Sequence, residues 1–297
     1  MNKIELAKEY LPVIDAIYQK ESMTAALLPA NADIKFNGVG EVSVFEIDMD
    51  GFGDYSRADG YPVGAVSSGW TAYKLEQDRG ISLPVDALDN EESLRMVFKN
   101  LVPEFIRTKE IPELDAYRFA QLASTVGING DHADVTVGTT DCPKLIDDAE
   151  QVLDDDEVPT EGRLLYVSNK FYNGIKQKIT RMLVNENNVQ REIEVFNDME
   201  VRRVPKNRFN TAVTLKNGKG GEFGFAVPAG SYPINFMIIH PTAVRALVQH
   251  RVPKIVTPEE NQKADGYDFM LRCYHDLFVL KNKVKGIYVH RADTANS

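Results

Sequence analysis

The stretch that most constrains this chain lies at residues 158–176, where a turn, a short apolar run and a helix follow one another without a linker. Pro159 and Gly162 punctuate the turn. Behind Arg163 come Leu164, Leu165, Tyr166 and Val167, a run that is short, β-prone and succeeded at once by the helical pattern of residues 168–176. It reads as a buried central strand. A strand of that kind needs others beside it, and the second informative block, residues 255–288, must be brought into the same core.

Length and charge narrow the class. With 297 residues, 43% of them hydrophobic, the chain can build one large domain or two modest ones. The 34 Lys and Arg against 44 Asp and Glu leave a formal charge of −10, which repels polyphosphate and disfavours nucleic-acid readout as the main task. Cys142 and Cys273 are too few and too far apart for a disulfide framework or a zinc ribbon, so a reducing compartment is expected. Residues 1–18 intersperse Lys3, Glu5, Lys8, Glu9 and Asp15 among apolar residues, unlike a signal peptide, and no apolar run reaches membrane-spanning length. A cytoplasmic protein is expected, unless a larger assembly carries it out.

Taken in order, residues 4–18 place Leu6, Tyr10, Leu11, Ile14, Ile17 and Tyr18 near helical spacing, as an amphipathic N-terminal arm that covers its apolar face on a partner subunit or on its own domain. From residue 34 to 81 the pattern alternates, with Val42 and Val44 on one run and Thr71, Tyr73 and Leu75 on another, which predicts two strands joined by a protruding loop. Asp48, Asp50, Gly51, Gly53 and Asp54 resemble a calcium loop, but Phe52 stands where an oxygen ligand is required; a solvated hairpin tip is the reading. Asp89 or Asn90 caps a long helix beginning at Glu91, with Leu94, Val97, Leu101, Phe105, Leu114, Tyr117, Phe119, Leu122 and Val126 on its apolar positions. Pro103 and Pro112 predict a kink or break, and Gly127 the stop.

A second helix is expected over residues 143–153, a single alternating strand over 192–204, a hairpin turn at Asn217-Gly218 and a buried strand over 232–239. Pro241 opens a helix running to Gln249, residues 254–256 form a brief strand, and residues 267–279 and 284–290 flank Lys281, Asn282 and Lys283 as a terminal hairpin.

No stretch amounts to an active site. Cys273, His275 and Asp276 supply a thiol, a base and an acid, and positions 273 and 275 share a strand face, yet the alternation around them is that of an ordinary half-buried strand. The glycine-rich run from Lys216 to Gly221 lacks the Gly-Lys-Ser/Thr ending of a phosphate loop and sits between strands. His132, His240, His250 and His290 are scattered singly. No catalytic, cofactor-binding or metal-binding residue is therefore expected, and the expectation is a protein that is not an enzyme; a thiol enzyme working through Cys273 and His275 is the competing class.

Four blocks carry a resemblance: Pro159 through Ser168; Ile234-Asn235-Phe236-Met237-Ile238-Ile239; Thr257 through Gly266; and Tyr274-His275-Asp276-Leu277-Phe278-Val279 with Asn282-Lys283 and Gly286-Ile287-Tyr288. In order and spacing they resemble the major capsid proteins of tailed bacteriophages and prophages with the Hong Kong 97 fold. The resemblance spans residues 158–288; the N-terminal half agrees in layout. It implies an α+β subunit with an N-terminal arm (1–30), an extended β-hairpin loop (31–75), a peripheral domain carrying the long kinked helix (76–137 and 263–297) and a mixed axial domain (138–262). It implies a shell of pentamers and hexamers around double-stranded DNA, assembled in the bacterial cytoplasm, with a separate scaffolding protein and a portal as partners, and no membrane. The alternative use of the same fold is an encapsulin-type nanocompartment. Some family members crosslink through a Lys and an Asn; Lys74 is the nearby lysine, and that chemistry is not carried over to it.

Overall fold

The structure is a computed structural model, and it describes residues 17, 21–28, 34–36, 41–57, 60–86, 101–186, 189–250, 254–257, 260–262 and 266–296. Nearly all of the amphipathic pattern at 4–18 and the first half of the long helix, with its Asp89 or Asn90 cap, lie outside those residues.

The largest sheet has seven strands, in the order β5 (Asn129–His132), β16 (Ile287–Arg291), β12 (Ile234–Ile239), β6 (Leu164–Ser168), β9 (Met199–Val204), β8 (Val189–Phe196) and β7 (Thr180–Glu186). β6 sits at its centre, antiparallel to β12 and parallel to β9. Its alternating side chains feed two cores. Leu165 and Val167 join Phe236 and Ile238 under helices α2 (Cys142–Asp155) and α3 (Asn169–Ile175), while Leu164 and Tyr166 join Met237 and Ile239 under α1 (Ile111–Ser124). Covering on both faces is why the run is apolar at every position rather than at alternate ones. Each such fully buried side chain contributes roughly 1.5–3 kcal/mol.

The helices over this sheet begin where local chemistry supplies a cap. Asp141 accepts from the Lys144 amide at 3.3 Å with Pro143 in the first turn of α2, and Ser168 accepts from the Phe171 amide at 3.2 Å at the start of α3. α2 and α3 approach so closely that a Cβ added at Gly174 would lie 2.4 Å from the Cys142 sulfur.

A second sheet is built around β15 (Gly266–Val279). β13 (Val244–His250) and β14 (Lys254–Val256) pair with one side of it, and β4 (Gln77–Asp86) with the other over ten residues. One continuous helical stretch from residue 101 to 124 links the sheets: Ile106, Ile111 and Leu114 pack on Phe269 and Leu271, while Phe119 and Leu122 reach the seven-stranded sheet. Pro112 produces no break. Ahead of it, Ile106–Glu110 widens into a π turn in which the Ile111 amide donates to the Ile106 carbonyl, so the irregularity demanded by the proline is absorbed as one wide turn.

Three expectations are corrected. The alternation over 192–204 is two strands, β8 and β9, because Asn197 and Asp198 adopt φ of 45° and 62° and close a two-residue turn between them. The helix expected from Pro241 is one 3-10 turn, Pro241–Ala243, followed by β13; four apolar residues in positions 244–248 fit either period, and pairing with β15 decides for the strand. The terminal hairpin does not form, since β15 and β16 lie in different sheets and the 3-10 turn Lys281–Gly286 carries the chain between them. The Asn217-Gly218 hairpin is present, with Gly218 at φ 77°, but its paired strands, β10 (Thr214–Leu215) and β11 (Phe225–Ala226), are only two residues each.

Replacing Gly174 by Ala should destabilise the chain by about 1–3 kcal/mol, seen as a lower urea midpoint at unchanged slope, because the methyl group must displace the Cys142 side chain. A second expectation concerns acid. His290 is buried, its Nδ1 3.1 Å from the Asn235 side-chain nitrogen, and burial holds its pKa below the ordinary 6.5. Below pH 6.5 the unfolded chain takes up a proton that folded His290 refuses, so its contribution is complete above that pH and is lost as the pH falls toward the depressed value. His240 is lowered by burial with the same sign, so His290→Gln should flatten, without abolishing, the fall in thermal stability between pH 7 and 5 (about two units, spanning the ordinary histidine range).

Candidate assembly surfaces

The residues with catalytic potential are not arranged for it. Cys273 is buried and its thiol donates to the Tyr274 carbonyl at 3.8 Å. Asp276 lies one residue beyond His275 on the opposite strand face, and its carboxylate accepts from the Tyr117 hydroxyl at 3.0 Å, the Leu277 amide at 2.8 Å and the Glu76 amide at 3.0 Å. The acid that would orient the histidine is spent on structure. Cys142 is packed under α3, and burial raises its pKa, away from thiolate character. His240 caps the 3-10 turn through the Thr242 amide, and His132 lies exposed between Asp131 and Asp293. Asp50 closes the hairpin loop by accepting from the Ala65 amide at 2.8 Å, and among the described residues no group of three His, Cys, Asp or Glu could hold a metal.

What the structure does build with care are the roots of two segments that meet the body at α1. The first is the segment at 21–28. Asp115, fully buried on α1, accepts the hydroxyls of Ser22 and Thr24, each at 2.7 Å, and the amides of Met23 and Thr24 at 3.1 and 3.2 Å. Arg208 approaches the same carboxylate at 3.4 Å, and buried Arg118 donates to the Thr24 hydroxyl at 2.8 Å. An unpaired carboxylate costs several kcal/mol to bury; four donors and a guanidinium make this one tenable. Leu27 then enters the core between α1 and the large sheet, and Glu21 pairs with Arg107 of the π turn at 2.7 Å. Sequence reading assigned this stretch to the end of the arm and did not find the anchor; a polar Ser-Met-Thr facing a lone Asp 91 residues away carries no local signal.

The second root is that of the hairpin. β1 (Ile34–Phe36), β2 (Glu41–Met49) and β3 (Val66–Lys74) form their own antiparallel sheet, with Glu41 opposite Lys74 and Met49 opposite Val66. Val42, Val44 and Leu75 are buried against Leu247, Tyr274 and Leu280 of the second sheet, and Asp276 holds the Glu76 amide where the hairpin passes into β4. Tyr117, the other partner of Asp276, has its pKa raised first by burial and then by that carboxylate. Beyond the root the hairpin turns outward. Phe45 and Trp70 pack as tilted rings at 5.3 Å with Lys35 over the indole, Tyr55 and Tyr61 do so at 5.0 Å, and Met49, Phe52, Val63 and Val66 are exposed. Nine residues of β3 at about 3.3 Å each make a finger of about 30 Å. An apolar tip on such a finger marks a surface for another molecule.

No protein-family model matches the sequence, and no curated protein matches it. Solved structures do. The capsid of the cyanophage P-SCSP1u aligns at 13% identity with a TM-score of 0.56, over 89% of this chain and 86% of its own. The virus-like particle from Pyrococcus furiosus aligns at 11% identity and a TM-score of 0.53, over 94% and 96%. Gordonia phage Cozz aligns at 12% identity and 0.52, over 91% and 93%.

Asp115→Asn should destabilise the subunit by about 3–5 kcal/mol, since the amide puts a donor against donors and strips Arg208 of its partner. Hydrogen exchange should locate the loosened contact at residues 22–28 first; a variant that unfolds evenly with these residues still protected would contradict their anchoring role. With a seven-stranded and a four-stranded sheet linked by one helical stretch, and a protruding hairpin rooted on the four-stranded one, this chain has the Hong Kong 97-type capsid fold.

Proposed function

We propose that the chain is the subunit of a self-assembling shell, and specifically a major capsid protein of a tailed phage or prophage, forming pentamers and hexamers around double-stranded DNA. The observation that carries this reading is the outward apolar finger, anchored at its base by a buried carboxylate and uncovered along its length. A closed shell needs heterologous contacts that repeat around rings of five and six, and it makes them best from several modest patches on elements that reach past the subunit body. The finger is one such element. The arm, of which only residue 17 and the 21–28 end are described, is assigned as the other.

The division into arm (1–30), extended loop (31–75), peripheral domain (76–137 and 263–297) and axial domain (138–262) is proposed on the same basis. A net charge of −10 suits a container for DNA, because an acidic wall limits adsorption of the packaged polyanion. A scaffolding protein and a portal are the proposed partners in the host cytoplasm. Asp276, engaged with Tyr117 and the Glu76 and Leu277 amides and so turned away from the strand face that carries Cys273 and His275, supports a structural and not an enzymatic role.

A cellular nanocompartment is the second reading, favoured by one observation: the Pyrococcus furiosus virus-like particle matches over nearly the full length of both chains. The two are separated by what purified particles contain, DNA in the first case and a protein cargo in the second. Electron microscopy and sedimentation of the expressed chain, with a scaffold where one is required, should reveal rings or closed shells; a compact monomer under every condition would refute both.

A further inference from the structure

The second sheet and the helical stretch do not meet everywhere. β4 and β15 turn positions 79, 81 and 83 and positions 271, 273 and 275 to one face, since Arg79 pairs with Cys273 and Ile81 with Leu271. Between that face and residues 105–114 lies a cavity of about 660 Å³, inside the range of roughly 300–1,000 Å³ usual for small-molecule sites. Among the described residues, Ile81, Leu83 and Leu271 form its floor and Phe105 lies in its roof, while Phe223 and Phe225 at the end of the β10–β11 loop line one side. Arg79 ties the three walls together. Its guanidinium donates to Glu113 of α1 at 2.6 Å, to the Lys216 carbonyl at 2.7 Å and to the Gly224 carbonyl at 3.5 Å, so sheet, helix and both ends of the loop are fastened to one side chain.

We propose that this cavity is a binding site for a neutral aromatic small molecule, seated on Ile81, Leu83 and Leu271 and covered by Phe105 and Phe223. Phe223 is the one apolar side chain between residues 216 and 224, where the rest are glycines or polar, and it is 65% exposed although the cavity it lines is apolar. A cavity of that character takes up water poorly and apolar molecules readily. The phenylalanines at 105, 223 and 225 give it aromatic walls, against which a further ring packs with a gain beyond its buried area. Charge points to a neutral occupant. Lys109 and Glu110 stand side by side on the rim with opposite signs, and Arg79 is spent on Glu113, so the lining carries no net charge to match and an ion would be desolvated without a partner. The site belongs to a single subunit and does not depend on the shell reading. A molecule held there braces the helical stretch against β4 and β15, and stabilises the folded chain by mass action.

The test titrates free subunits of the full chain with N-phenylnaphthylamine, a neutral aromatic dye that brightens in apolar surroundings, beside its sulfonated and therefore anionic relative anilinonaphthalene sulfonate. The neutral dye should bind saturably, one per chain, raise the thermal unfolding midpoint as its concentration rises, and bind at least about tenfold more tightly than the sulfonate. Phe223→Ala, at a mostly exposed position, should keep the dye-free unfolding midpoint and weaken binding at least about tenfold, and Ile81→Trp, which fills the floor of the cavity, should remove it. No saturable binding, equal affinity for the two dyes, or a Phe223→Ala chain that binds like the wild type overturns the assignment and leaves the shell reading standing. If Ile81→Trp does not fold, Phe223→Ala decides alone.

Discussion

Two buried carboxylates organise this subunit, and both are read out through one helix. Asp115 sits on α1 and gathers the donors of residues 22–24; Asp276 sits on β15, is bonded to Tyr117 of α1, and holds the Glu76 amide at the base of the finger. A buried charge tolerates little rearrangement, because each lost donor exposes part of the desolvation cost. Segments fastened this way leave the body in a set direction. Apolar packing alone, which is non-directional, would hold them in place without aiming them.

The helix can serve both anchors because it spans both sheets. Its first half packs on Phe269 and Leu271 and its second on Tyr166 and the strands beside it. The π turn at Ile106–Glu110 lies in the first half, paired through Arg107 with Glu21. Finger root, segment 21–28 and the wide turn thus share one mechanical element. A displacement of any one is felt at the others through contacts that are packed or hydrogen-bonded rather than loosely apposed.

The thiol, base and acid of β15 are divided between two faces of the strand. The candidate thiol, base and acid on β15 lie at 273, 275 and 276, and a strand turns successive side chains to opposite faces, so the acid is directed to Tyr117 and Glu76 while Cys273 and His275 line the cavity between this sheet and the helical stretch. Polar groups here serve placement: Arg163, nearly fully buried, secures the turn before β6 through Asp154 and the carbonyls of Val158 and Pro159. That turn delivers the chain into the central strand.

Local chemistry alone determined β6 and β12 as buried strands, α2 and α3 as helices, and the paired runs of the finger. Each is decided within a few residues, by period, capping or turn propensity, and survives any tertiary context that buries it. Tertiary structure decided the rest. Residues 244–250 became a strand because β15 offered a ladder, β15 and β16 parted into separate sheets through a 3-10 turn at whose end Gly286 has no room for a side chain, since an added Cβ would lie 3.0 Å from the Ala243 Cβ, and Asp115 found residues 22–24 only once the fold had closed. The cavity between the second sheet and the helical stretch belongs to this second class, since its walls come from segments spread between residues 79 and 275 and no single stretch of sequence carries its outline.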